Sequence, residues 1–215
     1  MVAVVLLRYC EYIITCILKA ILIMLLGEFI FNCQDSMKEP QNVKLFVGML
    51  ANRPALFEAV EPELKALFGE IDFVSLVWPW KHSRYYEKEM GKGLLRKFVF
   101  FRSLVHPEYL PVIKQQTVSV EKKYFHSVNM RQINLDPGYL NEAKVVLAST
   151  KDYSHRLYLG KGIYGEVSLS YRKGAFRPFP YTYPDFRTEE YLILLDRARD
   201  IYKMSKSSKI SNWIW

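Results

Sequence analysis

The sequence predicts an α+β domain on a βαββαβ core of the ferredoxin-like kind, extended by a further helix, a β-hairpin and a C-terminal helix. Three observations predict it. Apolar runs of strand length alternate with stretches of helical spacing in that order. A glycine-rich turn then joins two more strand-like runs. Half of the 215 residues are apolar, against ten Gly and ten Pro, so the chain can bury a real core.

The elements follow in order. Residues 43–50 (VKLFVGML) are apolar on both sides of Lys44, which predicts a central strand. Asn52 is placed to cap a helix entered through Pro54. Leu56, Val60, Leu64 and Leu67 give it a buried stripe, Pro62 predicts a kink or split, and Gly69 ends it. Residues 71–77 and 94–104 are the second and third strands, with a long polar and aromatic loop over residues 79–93 between them. Pro107 opens a second helix that runs toward Tyr124, and residues 130–135 form a fourth strand. Asp136-Pro137-Gly138 reads as an N-cap with proline in the first turn. Tyr139, Leu140, Ala143, Val146 and Leu147 then supply the stripe of a third helix. The hairpin spans residues 155–159 and 163–171 around Gly160-Lys161-Gly162, and residues 176–183, with three prolines at 178, 180 and 184, are extended. Thr188-Glu189-Glu190 starts the last helix, with Arg197, Arg199 and Lys203 toward its end, as the helix dipole favours.

The organisation expected is a hydrophobic extension over residues 1–36, one domain over residues 37–204 and a tail over residues 205–215. Residues 12–31 are nearly long and apolar enough to cross a bilayer, but Lys19 and Glu28 interrupt them. No small-residue cleavage pattern follows. Two readings stay open: Met37 is the true start and the segment is translated upstream sequence, or the segment anchors the protein to a membrane. The first makes the protein cytoplasmic.

The chain carries 30 basic against 22 acidic residues, a net charge of +8. That field favours anionic partners such as nucleotides, nucleic acid or phospholipid headgroups. Its three cysteines, Cys10, Cys16 and Cys33, precede the domain, which therefore has no disulfide, thiolate metal site or cysteine nucleophile. Neither Gly91-Lys92-Gly93 nor Gly160-Lys161-Gly162 has the spacing of a P-loop, and zincin and α/β-hydrolase motifs are missing too. The histidines are scattered singly, so no metal is expected and no cofactor is indicated.

Chemistry is densest between residues 134 and 166. Lys151, His155 and Arg156 are expected to converge with Asp136, Tyr164 and Glu166 on one concave basic site, because the link from helix to hairpin is short. Two cations and an imidazole can hold an anion, the arginine as a planar fork. The plainer alternative makes Asp136 a helix cap, leaves Lys151 and Asp152 at a solvated helix end, and pairs Arg156 with Glu166 across the hairpin. Trp78, Trp80, Tyr85 and Tyr86, interleaved with Lys81, Arg84 and Lys88, form a second cluster able to stack a base or to fold in on itself. A third, residues 181–187 (YTYPDFR), is a clasp for the last helix.

Across these motifs the chain resembles a bacterial family, the domain of unknown function 4416. The resemblance lies in VKLFVGML from Val43, YYEKEMGKGLLRKF from Tyr85, INLDPGYL from Ile133, LASTKDYSHRLYLGKGIYGEVSL from Leu147 and TYPDFR from Thr182. It spans residues 43 to about 203, and relatives begin near the position of Met37. Some relatives carry a GTP-binding label, and the resemblance assigns no catalytic residue.

The expectation for function is an α+β protein that binds a small anionic or nucleotide-like ligand at the 134–166 cluster. If the ligand is turned over, His155 or Glu166 would move the proton while Lys151 and Arg156 hold phosphate. The alternatives are an RNA-binding module, working through the sheet and the 78–86 loop, and a membrane-anchored interaction protein.

Overall fold

The computed structural model describes residues 17–19, 22, 38–125 and 130–207. It divides into two units, Met1–Pro40 and Gln41–Trp215. In the first, residues 17–19 and 22 are helical and exposed. The other expectations for residues 1–36, and those for residues 208–215, lie outside the described residues. Among the described residues no helix is long and apolar enough to cross a membrane.

The second unit is α+β. Its strands are β1 (Val43–Ala51), β2 (Ile71–Val74), β3 (Trp78–Pro79), β4 (Leu95–Val105), β5 (Ile133–Leu140), β6 (Lys144–Ser149), β7 (Leu157–Gly160), β8 (Ile163–Arg172) and β9 (Ala175–Pro178). Its α-helices are α1 (Pro54–Phe68), α2 (Glu87–Met90), α3 (Leu110–Lys123) and α4 (Glu189–Ser207). The strands form one antiparallel sheet in the order β2-β4-β1-β5-β6-β8-β7, with β3 beside β4 and β9 beside β8.

Both faces of this sheet are covered, which is why β1 reads as continuous apolar sequence. Its alternate residues Val43, Leu45, Val47, Met49 and Ala51 lie in a core with Phe57, Val60 and Leu64 of α1 and Ile113 and Val120 of α3. Phe46, on the opposite parity, joins Phe98 and Phe100 of β4 beneath Tyr191, Leu194, Leu195, Ala198 and Tyr202 of α4. Lys44 also faces that side and is wholly buried. Its ammonium donates to both oxygens of Asp72, at 2.9 and 2.8 Å, and to the Phe101 carbonyl at 3.0 Å.

Several expectations need correction. Pro62 does not split α1, because Pro62 and Glu58, whose carbonyl loses its helical donor, are both exposed to water. Asn52 does not cap that helix; its amide donates to the Met90 carbonyl at 3.0 Å and ties the 79–93 loop to the end of β1. That loop leaves from the end of β3 and holds the single turn α2. Extended backbone ends at Pro178, where Phe179 and Thr182 close a turn on each other. His155 lies before β7 rather than within it.

The largest correction is the predicted helix that starts at Asp136. Residues 133–149 are a hairpin, β5 and β6, and Asp136 sits mid-strand. The turn is made by Asn141, whose side-chain oxygen accepts the N–H groups of Ala143 and Lys144 at 2.9 and 3.0 Å. The spacing of Tyr139, Leu140, Ala143, Val146 and Leu147 imitates a helical stripe because β6 is buried on both faces, so Val145 to Ala148 form an unbroken apolar run.

Candidate functional site

The site arises where β5 and β6 part. Their ladder covers only Gly138↔Leu147, Tyr139↔Val146 and Leu140↔Val145, whereas β5 pairs with β1 along its whole length. The first residues of β5 therefore present a sheet edge with no strand beside it. Two buried side chains of α3 close that edge. Glu121 accepts the Leu135 N–H at 2.6 Å, and Lys114 donates to the Leu135 carbonyl at 2.8 Å. Pro137 has the same parity as Leu135 and has no N–H to lose, which is how a proline is tolerated inside a broad sheet. At Gly138 the strands rejoin so closely that a Cβ would lie 2.6 Å from the Val146 carbonyl oxygen and 2.6 Å from the Phe46 ring.

The parted strands open a cavity of about 520 Å³. That volume falls within the range of small-molecule sites. On the β5 side Asp136 is its centre. Arg96 approaches one carboxylate oxygen at 3.6 Å and Lys114 the other at 3.5 Å, while Asn134 donates to it at 2.6 Å. Arg131 completes the group by donating to Asn134 at 2.6 Å, with Glu89 at 2.8 Å from its Nε. Burial disfavours the Asp136 charge, but Lys114, Arg96, Arg131 and the Asn134 hydrogen bond outweigh it and hold the carboxyl below the ordinary carboxylate range. Two other acids lean the opposite way. Burial raises Asp185 despite Arg96 at 3.3 Å, and burial raises Glu121 despite Lys114. A carboxyl kept ionised therefore faces the same arginine as one that takes up a proton more readily.

On the β6 side the centre is Arg156, whose side chain is 1% exposed. It donates to Glu166 through Nε at 3.0 Å, to Ser149 Oγ at 2.8 Å, to the Lys151 carbonyl at 3.0 Å and to the Tyr183 hydroxyl at 2.8 Å. Glu166, equally buried, also meets Ser168 at 2.9 Å and His155 at 3.1 Å. Aromatic rings finish the walls. The Arg96 guanidinium lies 4.8 Å over Trp80, and Arg131 lies 5.5 Å over Tyr86. Lys151, exposed at the rim, rests 4.3 Å over the Tyr85 ring and donates to its hydroxyl at 3.2 Å. The described residues contain no group of three or more His, Cys, Asp or Glu placed to hold a metal ion.

The family model for a domain of unknown function, DUF4416, matches residues 41–202, the strands and helices that build this cavity. The chain belongs to the DUF4416 family. No curated protein and no solved structure matches it.

Of the six residues expected at the site of this DUF4416 domain, Asp136, Lys151, Arg156 and Glu166 line the cavity. His155 does not line it. It lies behind Glu166, stacked on Tyr181 at 4.5 Å with the rings 13° from parallel. Tyr164 is outside as well, packed on Tyr158 at 5.3 Å. The 78–86 and 181–187 clusters, read from sequence as separate, contribute Trp80, Tyr85, Tyr86, Tyr183 and Asp185 to the same cavity. Arg96, Lys114, Glu121, Arg131 and Asp185 went unrecognised. A signal for two of them was present: Lys114 and Glu121 share the α3 stripe with Leu110, Ile113 and Val120, where a solvated helix carries no charge.

Proposed function

We propose that this DUF4416 domain binds a small anionic, nucleotide-like ligand in the cavity between β5 and β6. The observation that carries the reading is the composition of the walls, which bring Trp80, Tyr85, Tyr86, Tyr153 and Tyr183 together with Arg96, Lys114, Arg131, Lys151 and Arg156. Flat rings supply stacking surface and the cations supply charge. A nucleotide asks for both. The acids beside the cations limit the excess of positive charge, which suits a small ligand with donors of its own better than a bare polyanion. A cytoplasmic setting, where such ligands are abundant, belongs to the same proposal.

The ferredoxin-like core is part of this reading. The strand order β5-β1-β4-β2, with α1 and α3 on one face, supports it over residues 43–140. On that view β6 to β9 and α4 are the additions that make the second wall of the cavity.

A second reading, RNA binding, is favoured by the mouth of the cavity, where exposed Tyr85 stands among Arg84, Lys88 and Lys151. Calorimetric titration with mononucleotides and with short single-stranded RNA, each at two salt concentrations, separates the two. Mononucleotide affinity that falls weakly with salt is expected. RNA affinity that falls steeply, with no mononucleotide binding, would replace the first reading by the second.

A further inference from the structure

The charges at the heart of the cavity are brought together but not joined. Asp136 Oδ2 accepts the Asn134 amide at 2.6 Å, whereas Oδ1 accepts no hydrogen bond among the described residues. The nearest cation to each oxygen stands off, Lys114 at 3.5 Å from Oδ1 and Arg96 at 3.6 Å from Oδ2, beyond ordinary hydrogen-bond length. Both cations have donors to spare. Lys114 gives a hydrogen bond to the Leu135 carbonyl at 2.8 Å, and Arg96 gives one to Asp185 at 3.3 Å, with the Tyr191 hydroxyl beside it. Their side chains are 7% and 5% exposed and that of Asp136 is 31%, so the carboxylate opens on the cavity while both cations are held deep beside it.

The approach of Arg96 is built into the strands. Gly48 pairs with Phe98 of β4 on one side and with Asp136 of β5 on the other. A Cβ at Gly48 would lie 3.1 Å from Arg96 Nη1 and 2.9 Å from the Phe98 ring, so the bare glycine is what lets the guanidinium cross β1 toward the carboxylate.

A guest at this point has to satisfy both signs of charge. A bare anion is repelled by Asp136, which its neighbours hold ionised, and a cation is repelled by Arg96, Lys114 and Arg131. An amide edge places its donor and its acceptor on different atoms, whereas each carboxylate oxygen here has a cation of its own beside it. A hydroxyl carries both functions on one atom. Two neighbouring hydroxyls, each donating to one carboxylate oxygen and accepting from the cation next to it, complete the set.

We propose that Asp136, flanked by Lys114 and Arg96, reads the vicinal diol of a sugar, and that the ligand of this cavity is a ribonucleotide in preference to its deoxy counterpart. This rests on the nucleotide-like reading above and adds to it the part of the ligand that lies deepest.

The test is calorimetric titration of the full chain with the four common ribonucleoside 5′-monophosphates and, for whichever binds best, its 2′-deoxy, 3′-deoxy and 2′,3′-dideoxy forms. Loss of either hydroxyl is expected to weaken binding by about tenfold or more, the worth of a hydrogen bond to a charged group. Asp136→Asn, checked for folding by its melting curve, is expected to lose most of that preference. The ratio of ribo to dideoxy affinity is the readout, because it cancels the effect of the lost charge on the phosphate. Deoxy forms bound as tightly as the ribonucleotide, or a preference kept in full by folded Asp136→Asn, each overturns the diol assignment and leaves the nucleotide-like reading standing. If the variant does not fold, the analogue series on the parent chain decides alone. Binding of none of the nucleotides overturns the nucleotide-like reading itself.

Discussion

Replacing Arg156 by alanine tests whether the second wall of the cavity is a structural unit. Arg156 makes four kinds of contact from a side chain 1% exposed, and Glu166 facing it is equally buried. Truncation leaves Glu166 with only His155 and Ser168, strips the Tyr183 hydroxyl and the Lys151 carbonyl of the arginine donor, and leaves Ser149 Oγ with the Lys151 N–H alone. Breaking a buried pair from one side costs about 3–5 kcal/mol, and the two remaining Glu166 partners put this case near 3 kcal/mol. In a domain of this size each kcal/mol moves the melting temperature by about 2–4 °C, so a fall of roughly 6–12 °C is expected in a calorimetric scan. The double variant Arg156→Leu with Glu166→Leu, which removes both charges together, should recover most of the loss. A melting temperature for Arg156→Ala within about 2 °C of the parent refutes the reasoning, since it would mean that Glu166 is solvated or neutral without its arginine.

Three further outcomes follow from the same geometry. Gly138→Ala should lower urea-measured stability by about 1–3 kcal/mol, because the new Cβ meets the fixed Val146 carbonyl as well as the buried Phe46 ring and the Leu147 side chain; an unchanged midpoint would show that the strands part further at Gly138. Asp72→Asn, which leaves the wholly buried Lys44 with the Phe101 carbonyl and a neutral amide oxygen in place of a carboxylate, should cost about 3 kcal/mol in the same assay, and a loss below about 0.5 kcal/mol would show that the ammonium reaches water. Glu121 has its pKa raised above 4.5 by burial, so its contribution to stability is full below that pH and is lost as the pH rises through the raised folded value. Stability curves of the parent and Glu121→Gln should therefore shift in favour of the glutamine form as the pH climbs from 4.5, and a gap that moves the other way contradicts the assignment.

Local chemistry was legible wherever one element satisfied itself. The apolar run of β1, the stripe of α1 and its Gly69 stop, and the Gly160-Lys161-Gly162 turn each declare their form through residues a few positions apart. Residues 133–149 did not, because their conformation depends on distant partners. Asp-Pro-Gly is a fair helix start in isolation. It becomes strand only because β1 offers a full ladder and because α3 supplies the donor and acceptor that β6 withholds. The same distinction explains the site. Lys151, Arg156 and Glu166 lie close in sequence and were found, whereas Arg96, Lys114, Arg131 and Asp185 come from four separate segments and meet only in the folded chain. His155 and Tyr164 were counted in because they neighbour the true wall, yet the turn before β7 sends one ring behind Glu166 and the strand carries the other out toward Tyr158.

The manner in which the β5 edge is closed has a consequence for what can enter. A parted sheet invites invasion by a stray strand, the first step of edge-to-edge aggregation. An extended peptide sliding into this opening would find the Leu135 N–H and carbonyl already occupied by Glu121 and Lys114, and at Pro137 no donor at all. On the β6 side the Ala148 N–H is already given to the Pro137 carbonyl. A flat ring needs no second ladder. The arrangement thus denies polypeptide the two-sided pairing that would make its stay permanent, which is the filter on shape that the proposed compact ligand requires.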